Sequence, residues 1–397
     1  MDVKWFKISL LFLFSAALMG TLLRAFSVFE VPLQYINLVH SHSHVAFQGW
    51  VYTLLFLMVV KLFLTEEQIK KSRYPLQFKL TILIIIGVMI SFILQGYGKF
   101  SIIFSSLFQL MNYWFILRFF KDVKNTKKSI SLQFIKTGFW LGLLSTLAPW
   151  GIGILAAKGF ANTEAYHSVI YFLLHFQYNG LFLFVLIGLL FKCLENLKTT
   201  FNPQKAKLFY WLTTAAVIPA YTLSLLGMSF KNYMYAPAII SGVLQLVGLF
   251  YLFQLAKSIS LKKFAKKVSL VKPFLLIAIG AFSLKTILQL LSVIPQVEAF
   301  AFTNRFLILA YLHLCFIGVI SFGLLGLLFH LKWLKLNWLT KAGSSFLLVG
   351  FLASEFILIF SGLGWSNSPS DLLILSAFMA LGILLLLISK TSKKITL

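Results

Sequence analysis

The chain has 397 residues, 60% apolar and only 11% charged, with a formal net charge of +25. Soluble domains carry roughly 25% charged residues, so a string of water-soluble domains is excluded. Two cysteines, Cys193 and Cys315, stand far apart without CxxC spacing, which argues against a disulfide framework or a cysteine metal site.

A membrane span needs about 20 mostly apolar residues. Measured on that ruler, the sequence predicts twelve spans, numbered 1 to 12 in chain order: 5–27, 36–63, 75–97, 100–120, 133–157, 164–191, 207–228, 235–257, 270–294, 304–330, 341–364 and 370–389. The polar stretches between them are short. The expected fold is therefore an all-α polytopic membrane protein, one integral membrane domain over 1–397, with N- and C-termini cytoplasmic. The first apolar run has no small-residue cleavage site after it and is too long for a signal core, so it is expected to remain a span.

Lys and Arg accumulate in short cytoplasmic loops. With the N-terminus inside, 29 of the 35 Lys and Arg fall on the cytoplasmic side. The outer segments hold only Arg24, Lys99, Lys158, Lys231 and Arg305, and Lys285 falls within span 9. A miscounted helix would scramble this alternation. The positive charge is thus explained by orientation in the cell's inner or plasma membrane and by attraction to the lipid bilayer, and no nucleic-acid partner is expected.

With loops so short, function is expected in polar groups held among the spans, where ionisable side chains are costly. The histidines are concentrated there. His40, His42 and His44 open span 2 in HSHSHVAFQGW, His167 and His175 lie in the outer half of span 6, and His313 lies in span 10. His330 ends span 10 on the inner side. At 1.5 Å per residue, His44 and His313 are both about 12 Å below the outer boundary. His40 and His44 share a helical face, while His42 points roughly 200° away. A single intramembrane histidine is often an interhelical hydrogen-bond partner. Six at one level, from three spans, point instead to a metal or haem site.

Other intramembrane groups are Lys285 in span 9, flanked by Ser283 and Thr286, and Glu355 in span 11. Gln95, Asn112, Gln245 and Gln289 are read as interhelical hydrogen-bonding groups. Pro149, Pro219 and Pro237 are read as kinks. No internal repeat is apparent, which weighs against a transporter built from repeats.

This pattern resembles the large subunit of the haem–copper oxidase superfamily, which includes cytochrome oxidases and nitric-oxide reductases. The likeness covers the span count and orientation of the whole chain, and residues in three spans. It implies a low-spin haem b between histidines of spans 2 and 10, with His42 or His44 and His313 as ligands. Tyr311 stands where the family often has the high-spin haem histidine. His175 with Asn179 is similar to the H-x-x-x-E of nitric-oxide reductases, with Asn in place of Glu, and His167 is a further candidate for a second metal, copper or iron. Span 7, however, contains no histidine, whereas the family takes two adjacent second-metal ligands there. The resemblance therefore implies an electron-transfer subunit with a bis-histidine haem rather than a complete oxidoreductase. It also implies a cytochrome or quinol donor and partner membrane subunits. The alternatives are a copper- or zinc-binding sensor or permease on the same fold, a transporter with structural histidines, and an active terminal oxidase or nitric-oxide reductase with unusual ligands.

Overall fold

Helices occupy the places where the apolar runs predict spans. The computed structural model describes residues 2–259, 270–365 and 368–391. Among these, eleven helices are long and apolar enough to cross a membrane: Val3–Ala25, Tyr35–Phe63, Tyr74–Gln95, Lys99–Asp122, Ile130–Ala157, Glu164–Asn196, Tyr235–Ser258, Val271–Leu291, Arg305–His330, Trp338–Gly362 and Pro369–Ile388. Span 7 is the remaining crossing. It is a bent pair, Pro203–Val217 followed by Pro219–Leu225, with 45° between the pieces. The expected lysines at 262, 263, 266 and 267, and at 393 and 394, lie outside the described residues.

Local sequence starts these helices at defined points. Thr163 accepts from Tyr166 N at the head of span 6, and Asn202 caps span 7 with Pro203 in the first turn. Asn304 caps span 10, and Asn337 with Thr340 caps span 11. Each cap satisfies amide donors that a helix N-terminus leaves without partners.

The structure divides into two compact units, Met1–Thr126 with Leu324–Leu397, and Lys127–Gly323. In the first unit, span 12 packs against spans 11 and 1, span 1 against span 2, span 2 against span 3, and span 3 against span 4. Lys7 Nζ donates to Ser389 O at 2.9 Å, so the start of span 1 and the end of span 12 lie at the same level. Tyr74 donates to Asp122 Oδ2 at 2.9 Å, which ties the start of span 3 to the end of span 4.

In the second unit, span 5 packs on span 6, span 7 on spans 6 and 8, span 8 on span 9, and span 9 on span 10. Ser131 at the start of span 5 bonds Glu195 at the end of span 6, and Lys205 at the start of span 7 bonds Gln254 late in span 8. At the other ends, Glu164 accepts from Ser229, and Glu298 pairs with Lys231 at 2.8 Å. Starts therefore meet ends at each level, as they do when every span, the bent one included, crosses once. This is a multi-pass integral membrane protein.

One element differs from the sequence reading. The outer connection between spans 9 and 10 contains a helix, Pro295–Thr303. Its Glu298 is buried and also accepts from Tyr235 Oη at 3.2 Å. A carboxylate with two donors is a stable anchor for a short helix that would be marginal alone.

Candidate functional site

Three spans stand apart by burial. In spans 2, 6 and 10, 72–78% of the residues in the most apolar stretch are buried, against 28–44% in the other long spans. These same three carry the histidines, and each changes its winding at one of them. A π-helical segment starts on the residue after His44, after His175 and after His313, covering Val45–Tyr52, Phe176–Phe182 and Leu314–Ser321. Such segments add a residue to the turn and recur at functional sites. The sequence around them repeats as well. His44 is followed by Phe47 and Gly49, His175 by Tyr178 and Gly180, and His313 by Phe316 and Gly318. A histidine, an aromatic three residues on and a glycine five residues on thus recur in every fourth span. This is a local motif in three spans and not a repeat of whole segments. The signal was visible only by aligning spans four apart, because a π segment has the same apolar composition as an α-helix. Gly49 shows why a glycine is needed: a Cβ there would stand 2.8 Å from Phe12 of span 1.

In the first unit, the span 2 histidines divide between two faces, as helical periodicity dictates. His40 and His44 face span 3. His44 stacks on Phe92 at 4.3 Å, and His40 meets Tyr97 edge-on at 4.6 Å. Gln48 lies 3.1 Å from His44 Nδ1, and the Tyr97 hydroxyl lies 3.5 Å from His44 Nε2. An amide N–H only donates, so His44 Nδ1 holds the lone pair that Gln48 Nε2 meets, and the proton is on Nε2, towards the Tyr97 hydroxyl. His42 faces span 1. Its Nδ1 lies 2.8 Å from Ala16 O. A carbonyl only accepts, so Nδ1 carries the proton and Nε2 the lone pair. Glu355 also belongs to this unit, half-buried in span 11.

In the second unit the polar groups of span 6 meet the break in span 7. Pro219 has no N–H to continue the helical ladder, and Tyr221 N turns to Ile218 O at 3.2 Å, in the tighter winding. Val217 O consequently loses the amide that would bond it in an α-helix. His175 Nε2–H takes that place, donating to Val217 O at 2.7 Å. The proton being on Nε2, Nδ1 accepts, and Asn179 Nδ2 donates to it at 3.2 Å. Asn179 Oδ1 then has no hydrogen-bond partner among the described residues. In this arrangement His175 is a clasp on a broken span, with both ring nitrogens engaged.

Next to the clasp is a cavity of about 20 Å³, lined among others by His175, Asn179, Thr213, Gln245, Phe282 and Lys285. That is the space one water-sized ligand occupies. Lys285 is 3% exposed and makes no hydrogen bond or ion pair among the described residues; its ammonium stands 5.7 Å from the Phe282 ring centre. Its flanking hydroxyls donate to their own helix, Ser283 to Ile279 O and Thr286 to Phe282 O, and neither accepts a hydrogen bond from Lys285.

The other expected residues have local surroundings. His167 donates from Nδ1 to Thr163 O, one turn back, at 3.0 Å. Tyr311 neighbours Tyr178 and Cys315, and Tyr178 meets Phe316 edge-on at 5.3 Å. The structure brings His175 and Asn179 together and does not add His167 to them. No group of three or more His, Cys, Asp or Glu side chains able to hold a metal ion occurs among the described residues. No protein-family model matches the chain, and no curated protein matches it.

Proposed function

We propose that this protein binds haem b and serves membrane electron transfer, with His42 as the span 2 ligand and His313 as the span 10 ligand that the oxidase-like pattern implies. The observation that carries the reading is the bond from His42 Nδ1–H to Ala16 O. Metal-binding histidines almost always donate their second ring N–H to a carbonyl or carboxylate, which fixes the ring and strengthens the other nitrogen as a ligand. His42 has that second bond and so carries its lone pair on Nε2, while the Nδ1 lone pair of His44 is engaged by the Gln48 amide. In span 10 the π segment that begins after His313 is the supporting mark.

The haem supplies a one-electron couple. The chain supplies imidazole nitrogens, an apolar shell that excludes water, and close packing around the ring, such as Gly20, where a Cβ would stand 3.1 Å from His42 Cε1. Span 7 offers no histidine for a second metal, and His175 is engaged on both nitrogens. The reading therefore assigns electron transfer, from a cytochrome or quinol, and not gas reduction.

The test is the visible spectrum of the purified protein, oxidised and dithionite-reduced. A sharp reduced α-band that disappears in His42→Ala and His313→Ala is expected. A colourless protein that contains copper or zinc overturns the proposal.

A further inference from the structure

We propose that the cavity beside the span 6–7 clasp binds a small monoanion of halide size, with Lys285 as its charged partner. The inference is independent of haem. It rests on charge balance and donor geometry within the second unit. Lys285 is a buried cation in span 9, and among the described residues no Asp or Glu lines the cavity it faces. An uncompensated ammonium among apolar spans is costly, so the ion that balances it comes from outside the chain.

The lining is polar in a consistent sense. Gln245 Nε2 is a buried donor without a partner among the described residues. Lys285 offers three N–H groups. Asn179 Oδ1 is held as an acceptor, because Val217 O fixes the His175 tautomer and His175 Nδ1 fixes the amide. Lys285 and Gln245 Nε2 thus line the cavity as donors beside the acceptor Asn179 Oδ1, and the donors outnumber the acceptor. Thr213 spends its proton on Phe209 O at 2.7 Å and adds no donor. The cavity of about 20 Å³ has room for one ligand of water to halide size.

The experiment is thermal unfolding of the purified full-length protein across a chloride titration, with gluconate keeping the ionic strength constant. Bromide is the second halide, and chloride-35 line broadening is the direct readout. Halide is expected to raise Tm saturably, since a ligand that binds only the folded state stabilises it by mass action. Lys285→Met should weaken halide affinity about tenfold or more, and Gln245→Leu, which keeps the cation, about threefold. If Lys285→Met does not fold, the Gln245→Leu shift and the line broadening of the unaltered protein carry the decision. Equal Tm in chloride and gluconate overturns the proposal, as does an undiminished halide response in both variants. Loss of haem with the halide response intact would remove the function proposed above and leave this site standing.

Discussion

Spans 2 and 6 place the same local motif in different company. In both, an amide four residues after the histidine approaches Nδ1: Gln48 for His44, and Asn179 for His175. In span 6 the far nitrogen meets a carbonyl, which accepts only, and the whole string of contacts is fixed. In span 2 the Gln48 Nε2 donor likewise sets the His44 lone pair on Nδ1, but the far nitrogen meets only a hydroxyl, at 3.5 Å. On His42, one face away, a carbonyl holds the proton on Nδ1 and leaves the lone pair on Nε2. The lesson is that a histidine's fitness as a ligand is set by what its other nitrogen touches, and not by its place in a repeated motif.

The largest effect that would break this contrast is spectroscopic. His42→Ala should abolish the haem signal and His44→Ala should keep it; the reverse outcome would move the ligand into the repeated motif. His313→Ala should likewise abolish it, and His330→Ala should not, because the two lie about 25 Å apart along span 10. Next comes reactivity. Reduced protein should neither consume oxygen or nitric oxide nor show a carbon-monoxide shift, since His42 and His313 would hold the haem and it would supply electron transfer alone. Turnover with a carbon-monoxide-sensitive haem would restore the active-oxidase alternative.

The clasp is the third test. His175→Leu leaves Val217 O without its donor, at a cost of about 2–3 kcal/mol, and Asn179→Leu costs about 1 kcal/mol. The double variant should cost less than the two single costs together, because the residues act as one unit. Thermal or denaturant unfolding in detergent reads all three. Strict additivity would mean that Asn179 does not orient His175.

The smallest effect lies outside the membrane and compares the loops of the two units. In the first unit, the hydrogen bond from Lys61 at 2.6 Å holds the Glu66 carboxyl below its ordinary value of 4.5. In the second, the Glu298 carboxylate holds the Lys231 ammonium above its ordinary value. The first pair contributes stability above about pH 4.5 that is lost as pH falls through the lowered value; the second is lost only as pH rises through the raised one. Glu66→Gln should therefore remove about half a kcal/mol of acid-sensitive stability, a small amount because Glu66 is exposed. An unchanged acid profile would show that the Lys61–Glu66 pair contributes nothing.

The spans were legible because length, apolarity and the Lys/Arg alternation are all properties of single segments. Pro219 announced a kink for the same reason. What the kink releases was not legible: Val217 O and His175 are in different spans, and only packing joins them. Lys285 could be singled out as an intramembrane charge, but its flanking Ser283 and Thr286 were misleading, since both hydroxyls turn back to their own helix. The cavity partners Asn179 and Gln245 were visible as polar groups of two other spans, but nothing local says that they share a cavity with Lys285. The His42 and His44 alternatives stayed open because i, i+2 spacing separates faces without saying which face finds a carbonyl.

The break in span 7 also has a consequence for how the chain is assembled. A carbonyl left without a partner in hydrocarbon costs several kcal/mol, so span 7 is a poor guest of the lipid by itself. Its missing donor is on span 6, which is synthesised immediately before it. A chain emerging in that order has the donor already in the bilayer when the broken segment arrives. Moving span 6 later in the chain, by permutation, would force span 7 to wait unsatisfied.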